Sequence, residues 1–257
     1  MLVLENKVAL ITGSSQGIGE AVAVQLWSLG ASVVITGRDT KRIDDVIARC
    51  QPTGLVKQKA IGVTADILLD SDLDRLVARL TDEFGGQLDI LVNNAGVASL
   101  ASFVESHYLD LYDLEFKFMR AHQRLTRLVI PLLIASSSGS TIINVSATTE
   151  KAQYQALSNM LTKTSLDMFT KCLAQELAPS GVRVNCVGPG VIATPSLLNH
   201  PVLKHVVYLP EFLQTIPLGR LASADEVANA VAFLAVGTGG GAGSFMTGIK
   251  LNITGGQ

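Results

Sequence analysis

The 257-residue sequence predicts an α/β fold in which a doubly wound, seven-stranded parallel sheet is covered by helices on both faces. Three observations predict it. Short Val/Ile-rich runs alternate with longer segments of helical periodicity. Most of the runs are apolar throughout, as strands buried on both faces must be. They end in Gly, Asn or Ser, where the chain has to turn. Composition agrees: 48% apolar and 16% charged residues, with 23 glycines and 8 prolines, exclude a disordered chain and supply a large core. At this length a single domain over residues 1–257 is expected.

Taken in order, the strands are "KVALITG" at 7–13, "SVVITG" at 32–37, "KAIGVTAD" at 59–66, "LDILVNNAG" at 88–96, "STIINVSA" at 140–147, "VRVNCVGPG" at 182–190 and "GIKLNITGG" at 248–256. Between them, "GEAVAVQLWSLG", "LDRLVARLTDEFG", "YDLEFKFMRAHQRLTRLVIPLL" and "LTKTSLDMFTKCLAQELAP" read as helices. Such alternation favours right-handed crossovers, and ligands in such sheets bind beyond the carboxyl ends of the strands. "VGTGGGAGS", residues 236–244, reads as a loop before the last strand.

Several function classes are excluded. With net charge −2 and its basic residues interleaved with acids, the chain has no nucleic-acid or anionic-membrane footprint. Cys50, Cys172 and Cys186 are isolated and odd in number, against a disulfide framework or a metal site. No apolar run reaches the length of a membrane span and no leader is expected before the first strand, so a cytoplasmic chain with a small-molecule partner is expected.

"ITGSSQGIGEA", residues 11–21, follows a strand and opens a helix. Gly13 suits the tight turn, Gly17 lets backbone N–H groups approach a pyrophosphate, and Gly19 permits close packing of helix on strand. The segment reads as a dinucleotide site.

These glycines, with "NNAG" at 93–96, "LDMFTKCLAQELAPSGVRVNCVGPG" at 166–190, "IPLGRLASADEVANAVAFLA" at 216–235 and "TG" at 247–248, resemble the short-chain dehydrogenase/reductase family. The resemblance covers essentially the whole chain. It implies a Rossmann-type fold, oxidoreductase activity with NAD(H) or NADP(H), and a dimer or tetramer. Carried over by position, it gives Gly13, Ser14, Ser15, Gly17, Ile18 and Gly19 to the pyrophosphate and Asp66 and Ile67 to the adenine. Asn93, Ala95 and Gly96 would stabilise the central sheet beside the ribose, while Pro189, Gly190, Ile192 and Thr194 would hold the nicotinamide carboxamide. Gly188 departs from the family, which often has serine there, as does Thr254, where an aspartate is frequent.

An NAD site places a carboxylate at the end of the second strand for the ribose hydroxyls, whereas an NADP site omits it and supplies a cation for the 2′-phosphate. Here Gly37 stands at that position and Arg38 follows, favouring NADP(H) over NAD(H), although Asp39 is near enough to weaken the inference.

The family couples hydride transfer to proton transfer through Ser, Tyr, Lys and Asn. "KTSLDM" sets Lys163 as the lysine, which puts Asn159 on the tyrosine position four residues earlier. An amide can hydrogen-bond a carbonyl but cannot surrender a proton at neutral pH. Ser146 takes the serine role if the loop to residue 159 is one residue shorter than usual, since Ala147 stands where the catalytic serine commonly lies. Otherwise Ser146 is a strand-end hydroxyl bonded to backbone. The asparagine position falls at Met119. Tyr154 can replace the missing donor only from a loop; His107, Tyr108, Tyr112 and His122 read as packing or surface residues, with lining a substrate mouth as the alternative for His107 and Tyr108. Residues 196–214 suit a lid over an apolar substrate or an interface loop, and the helices around Met119 and Lys163, apolar on more than one face, suggest a homo-oligomer. Three classes stay open: an oxidoreductase on a carbonyl or secondary alcohol with an altered proton source, a catalytically silent cofactor-binding subunit, and a nucleotide-sensing regulator.

Overall fold

The structure, a computed structural model, describes residues 3–51, 57–136, 139–150, 153, 155–200, 203–237 and 243–257. Seven parallel strands, β1 (Val8–Ile11), β2 (Ser32–Gly37), β3 (Ala60–Thr64), β4 (Ile90–Asn93), β5 (Ser140–Val145), β6 (Val182–Pro189) and β7 (Lys250–Ile253), form one sheet in the order β3-β2-β1-β4-β5-β6-β7. All seven sequence-predicted strands are present, trimmed at their carboxyl ends where the site loops begin.

Side chains alternate across the sheet. Ala9 and Ile11 of β1 point into a core shared with Val33 and Ile35 of β2, with helix α1 (Gly17–Ser28) and with α9 (Ala224–Ala235). Val8 and Leu10 point the other way, against Leu73, Leu76 and Leu80 of α3 (Asp70–Phe84), Leu125 and Val129 of α4 (Tyr108–Ala135), and Leu173 and Leu177 of α5 (Leu157–Leu177). Helix α2 (Thr40–Arg49) closes the first core with Ile43 and Val46. Covering both faces is what makes the strands near-continuously apolar.

The strand order reverses between β1 and β4: β1 is paired in parallel with β2 on one side, Ala9 facing Val33, and with β4 on the other, Ala9 facing Ile90. This switch point opens a crevice at the carboxyl ends of the two strands. Beyond β6 the chain forms three one-turn helices, α6 (Pro195–Leu198), α7 (Leu203–Val206) and α8 (Pro210–Leu213), over the region read as a lid.

Candidate active site

The loop after β1 is built by a hydroxyl with every hydrogen-bonding capacity used. Thr12 Oγ1 donates to the Val92 carbonyl at 3.3 Å and accepts from the amides of Asn94 and Ala95 at 2.9 and 3.0 Å. The Asn94 carboxamide returns bonds to the Thr12 and Gly13 carbonyls. Ser14 Oγ donates to the Ile11 carbonyl at 2.7 Å and accepts from the Thr36 amide at 2.8 Å. The loops after β1, β2 and β4 are thereby locked together. Gly13 is obligatory here: its φ is +62°, and a Cβ would stand 2.9 Å from Ala95 Cα.

Between these loops lies a cleft of about 290 Å³ lined by Gly13, Ser15, Gly17, Ile18, Arg38, Asp66, Ile67, Ala95, Gly96 and Thr194, as the sequence reading expects, and also by Asn94, Val97 and Phe118. The N-cap of α1, Gln16, makes no side-chain cap bond and accepts instead from Arg42, so the first amides of α1 remain for an anion. A cradle of glycine, unspent helix-start amides and a switch-point crevice fits a dinucleotide pyrophosphate. The residues that would hold it are Gly13, Ser15, Gly17 and Ile18.

Other expected contacts lie elsewhere. Ser14 is fully buried in the lock just described. Asn93 is fully buried below the cleft, donating to Asn144 at 2.9 Å and to Thr126 at 3.0 Å, while Asn144 donates to Thr170 at 2.8 Å. This amide chain ties β4 and β5 to α4 and α5; Asn94, its neighbour, is the one at the cleft. Gly19, Pro189, Gly190 and Ile192 do not line the cleft either. Gly19 packs on the Gly13 carbonyl, Pro189 and Gly190 bond to the backbone of Thr148 and Ile253, and Ile192 pairs with Ala222.

On α5, Lys163 is half-buried and its Nζ donates to the Val145 carbonyl at 3.0 Å. Burial draws its pKa below the ordinary lysine range, opposed by Cys186, Glu115 and Asp167. One turn earlier, Asn159 is half-buried; its carbonyl accepts from Thr162, and its carboxamide makes no hydrogen bond with the described residues. Ser146 is buried, and its Oγ donates to the Lys163 carbonyl at 3.2 Å. The geometry therefore takes the backbone-bonded branch of the two readings of Ser146. Met119 is buried beside Lys163, and Tyr154 lies outside the described residues. Tyr108 and Tyr112 stack on one another at the start of α4, away from either cavity lining, and His107 pairs with Glu105.

Two groups near Lys163 escaped the sequence reading. Glu115, buried on α4, accepts from the Ser99 amide at 2.9 Å and from Thr162 Oγ1 at 3.2 Å. Across β6, Lys250 pairs with Asp167 at 2.9 Å and donates to Thr149 at 2.7 Å, and its Cε occupies the space above Gly188, where a Cβ would stand 2.6 Å away. Gly188 thus has a physical reason: a serine would collide with the lysine. The partners of both groups lie 16 or more residues away in sequence, where no local pattern reveals them.

Residues 13–257 match the family model described as enoyl-(acyl carrier protein) reductase. The chain is a short-chain dehydrogenase/reductase. It is 34% identical to dehydrogenase/reductase SDR family member 4 of Caenorhabditis elegans, over 98% of this chain and 95% of that one. It is 32% identical to the 3-oxoacyl-[acyl-carrier-protein] reductase of Aquifex aeolicus, over 99% and 98%. Among solved structures, the 3-ketoacyl-(acyl-carrier-protein) reductase of Brucella melitensis complexed with NADH superposes with a TM-score of 0.86 at 33% identity, covering 98% of each chain. Among the described residues of this short-chain dehydrogenase/reductase, no helix is long and apolar enough to cross a membrane, and no cluster of three metal-ligating side chains occurs.

Proposed function

We propose that this chain binds NADP(H) in preference to NAD(H) and acts on the carbonyl or secondary alcohol of a largely apolar substrate, with proton transfer impaired by Asn159. When bound, the nicotinamide supplies or accepts the hydride. The cofactor preference is supported by Asp39. Its carboxylate caps α2, accepting from the Arg42 amide at 3.1 Å and pairing with Arg42 Nε at 3.4 Å, so it is engaged away from a ribose. Arg38, which lines the cleft, is exposed and makes no ion pair with the described residues, leaving its guanidinium for a 2′-phosphate.

The observation that carries the chemical reading is the pairing on α5: a half-buried lysine in the family position with a carboxamide, not a phenol, one turn before it. Lys163 would hold the nicotinamide ribose, and Asn159 would hydrogen-bond the carbonyl oxygen without protonating it. The bonded state of Ser146 favours a second reading, a cofactor-binding subunit silent in catalysis. A homo-oligomer fits the exposed Leu157, Leu161 and Met168 on α5. The test is fluorescence titration with NADPH and NADH, followed by single-turnover reduction of ketones and aldehydes. Tight NADPH binding with slow turnover supports the first reading, binding without turnover selects the second, and absence of binding sinks both.

A further inference from the structure

Beside Lys163, between α4 and α5, lies a second cavity of about 20 Å³, lined by Glu115, Met119, His122, Thr162, Lys163 and Leu166 together with Ala95, Gly96, Val97 and Phe118, which it shares with the cleft. Its polar lining is incomplete. His122 is 3% exposed, and among the described residues neither ring nitrogen meets a partner in hydrogen-bond geometry, although the Ala95 main chain lies near enough to act on the ring. Glu115 accepts from the Ser99 amide on one oxygen and on the other shares the single Thr162 hydroxyl proton with the Ser158 and Asn159 carbonyls, where a carboxylate has about four acceptor sites. Among the described residues, Lys163 Nζ uses one of its three donors, on the Val145 carbonyl. A space of this size admits one water, and a buried water needs two to four polar partners of the kind found here. A buried imidazole nitrogen left without a partner is costly, and a bound water removes that cost.

We propose that this cavity holds one water molecule bridging Glu115, His122 and Lys163, and that Glu115 acts through it as a positioning residue that keeps the Lys163 ammonium charged beside the cofactor cleft. The water accepts from Lys163 Nζ and donates to the Glu115 carboxylate and to one His122 nitrogen. The pair is then neutral overall while the half-buried lysine retains its proton. The other groups acting on Lys163 are His122 from α4, Cys186 from β6 and Asp167 from α5, the last already paired with Lys250. His122 stays an uncharged acceptor: burial and the lysine charge hold its pKa down at about 3. In a chain without the phenol that its relatives place beside the lysine, this arrangement makes Lys163 the proton-bearing group at the mouth of the cavity. The functional meaning rests on the role proposed for Lys163, but the water and the charge coupling do not.

Two measurements on the full chain test the inference, neither requiring turnover. In a crystal structure resolving ordered solvent, one water should lie within hydrogen-bond distance of Glu115, His122 and Lys163; an empty cavity overturns the proposal. In NMR titration of protein labelled at lysine Cε, with the signal assigned through Lys163→Arg, Glu115→Gln should move the Lys163 midpoint to lower pH by about one unit or more. Glutamine keeps the size and still accepts from Ser99, so the charge is removed with little loss of packing. An unmoved midpoint overturns the coupling. Because NADPH titration reads cofactor binding separately, failure here is distinguishable from failure of the proposed function.

Discussion

The Ser146 hydroxyl donates to the main-chain carbonyl of Lys163 across 3.2 Å, latching the end of β5 to the helix that carries the lysine. A hydroxyl in that state contributes to the fold. Ser146→Ala should therefore cost about 1 kcal/mol of stability, the net value of one buried hydrogen bond, and leave NADPH affinity unchanged. Urea unfolding alongside fluorescence titration checks both. A variant of unaltered stability with a large loss of single-turnover rate would return Ser146 to the reaction.

The Arg38 guanidinium stands free at the cleft while Asp39 caps α2. Arg38→Ala should weaken NADPH binding by roughly ten- to a hundredfold and leave NADH binding unchanged, because a charge-assisted contact to phosphate contributes about 1.5 to 3 kcal/mol and a ribose hydroxyl offers no such partner. Equal losses for both cofactors would show that Arg38 does not read the 2′ position.

Gly188 and Lys250 form a steric pair. Gly188→Ser should destabilise the chain by about 1 to 3 kcal/mol, since the new Cβ meets Lys250 Cε and Asn252 Oδ1 at 2.6 and 2.4 Å. Combined with Lys250→Ala, part of that loss should disappear, because the two substitutions share one space. Strict additivity in denaturant unfolding would show that the lysine yields without cost.

What the sequence could reveal follows from how local each signal is. All seven strands were legible because their burial on both faces writes itself as Val/Ile runs. The glycine loop was legible because the backbone itself makes the contact. Helix α2 was not read: "TKRIDDVIAR" buries only Ile43 and Val46, so its charges dominate the pattern. Helices α6, α7 and α8 are one turn each, too short for a period. At the site, Lys163 and Asn159 were fixed by register on one helix, whereas Glu115 and Thr162 meet only when α4 packs on α5. The pairing of Asp167 with Lys250 spans 83 residues and depends on a glycine in a third element. The Ser14 side chain, given to the pyrophosphate by position, turns inward because it completes a buried polar lock, whereas Asn93, given to the central sheet, is tied there to Asn144 and Thr126.

His122 gives the fold an acid sensitivity. Its folded pKa of about 3 lies below the ordinary 6.5, so between these values the unfolded chain binds a proton that the native chain refuses. Native stability is thus full above about pH 6.5 and falls as pH drops towards 3, with a slope from this group of at most about 1.4 kcal/mol per pH unit. His122→Gln should flatten the decline in melting temperature between pH 7 and pH 5. An unchanged decline would place the acid sensitivity in other groups.

Asn159 offers the most direct test of the chemistry. General acid catalysis contributes about a hundred to ten thousand fold, so a carboxamide in place of a phenol should cost on the order of 3 to 5 kcal/mol of barrier. Cofactor binding should survive, because the cleft and Lys163 are intact. Asn159 is half-buried with its carboxamide unbonded to described residues, so Asn159→Tyr adds a ring at a position not committed to the core. It should raise the single-turnover rate with ketones and aldehydes at saturating NADPH. Recovery should be partial: Ser146 remains bonded to the Lys163 carbonyl and Met119 remains buried in the cavity behind the lysine, and residues that act as a unit do not recover additively. The comparison is wild type, Asn159→Tyr and Asn159→Tyr with Ala147→Ser, which adds a second hydroxyl beside Ser146. A rising series supports the reading of a reaction site short of its proton donor. Fast wild-type turnover abolished by Tyr154→Phe would show instead that the donor had moved to the loop after β5.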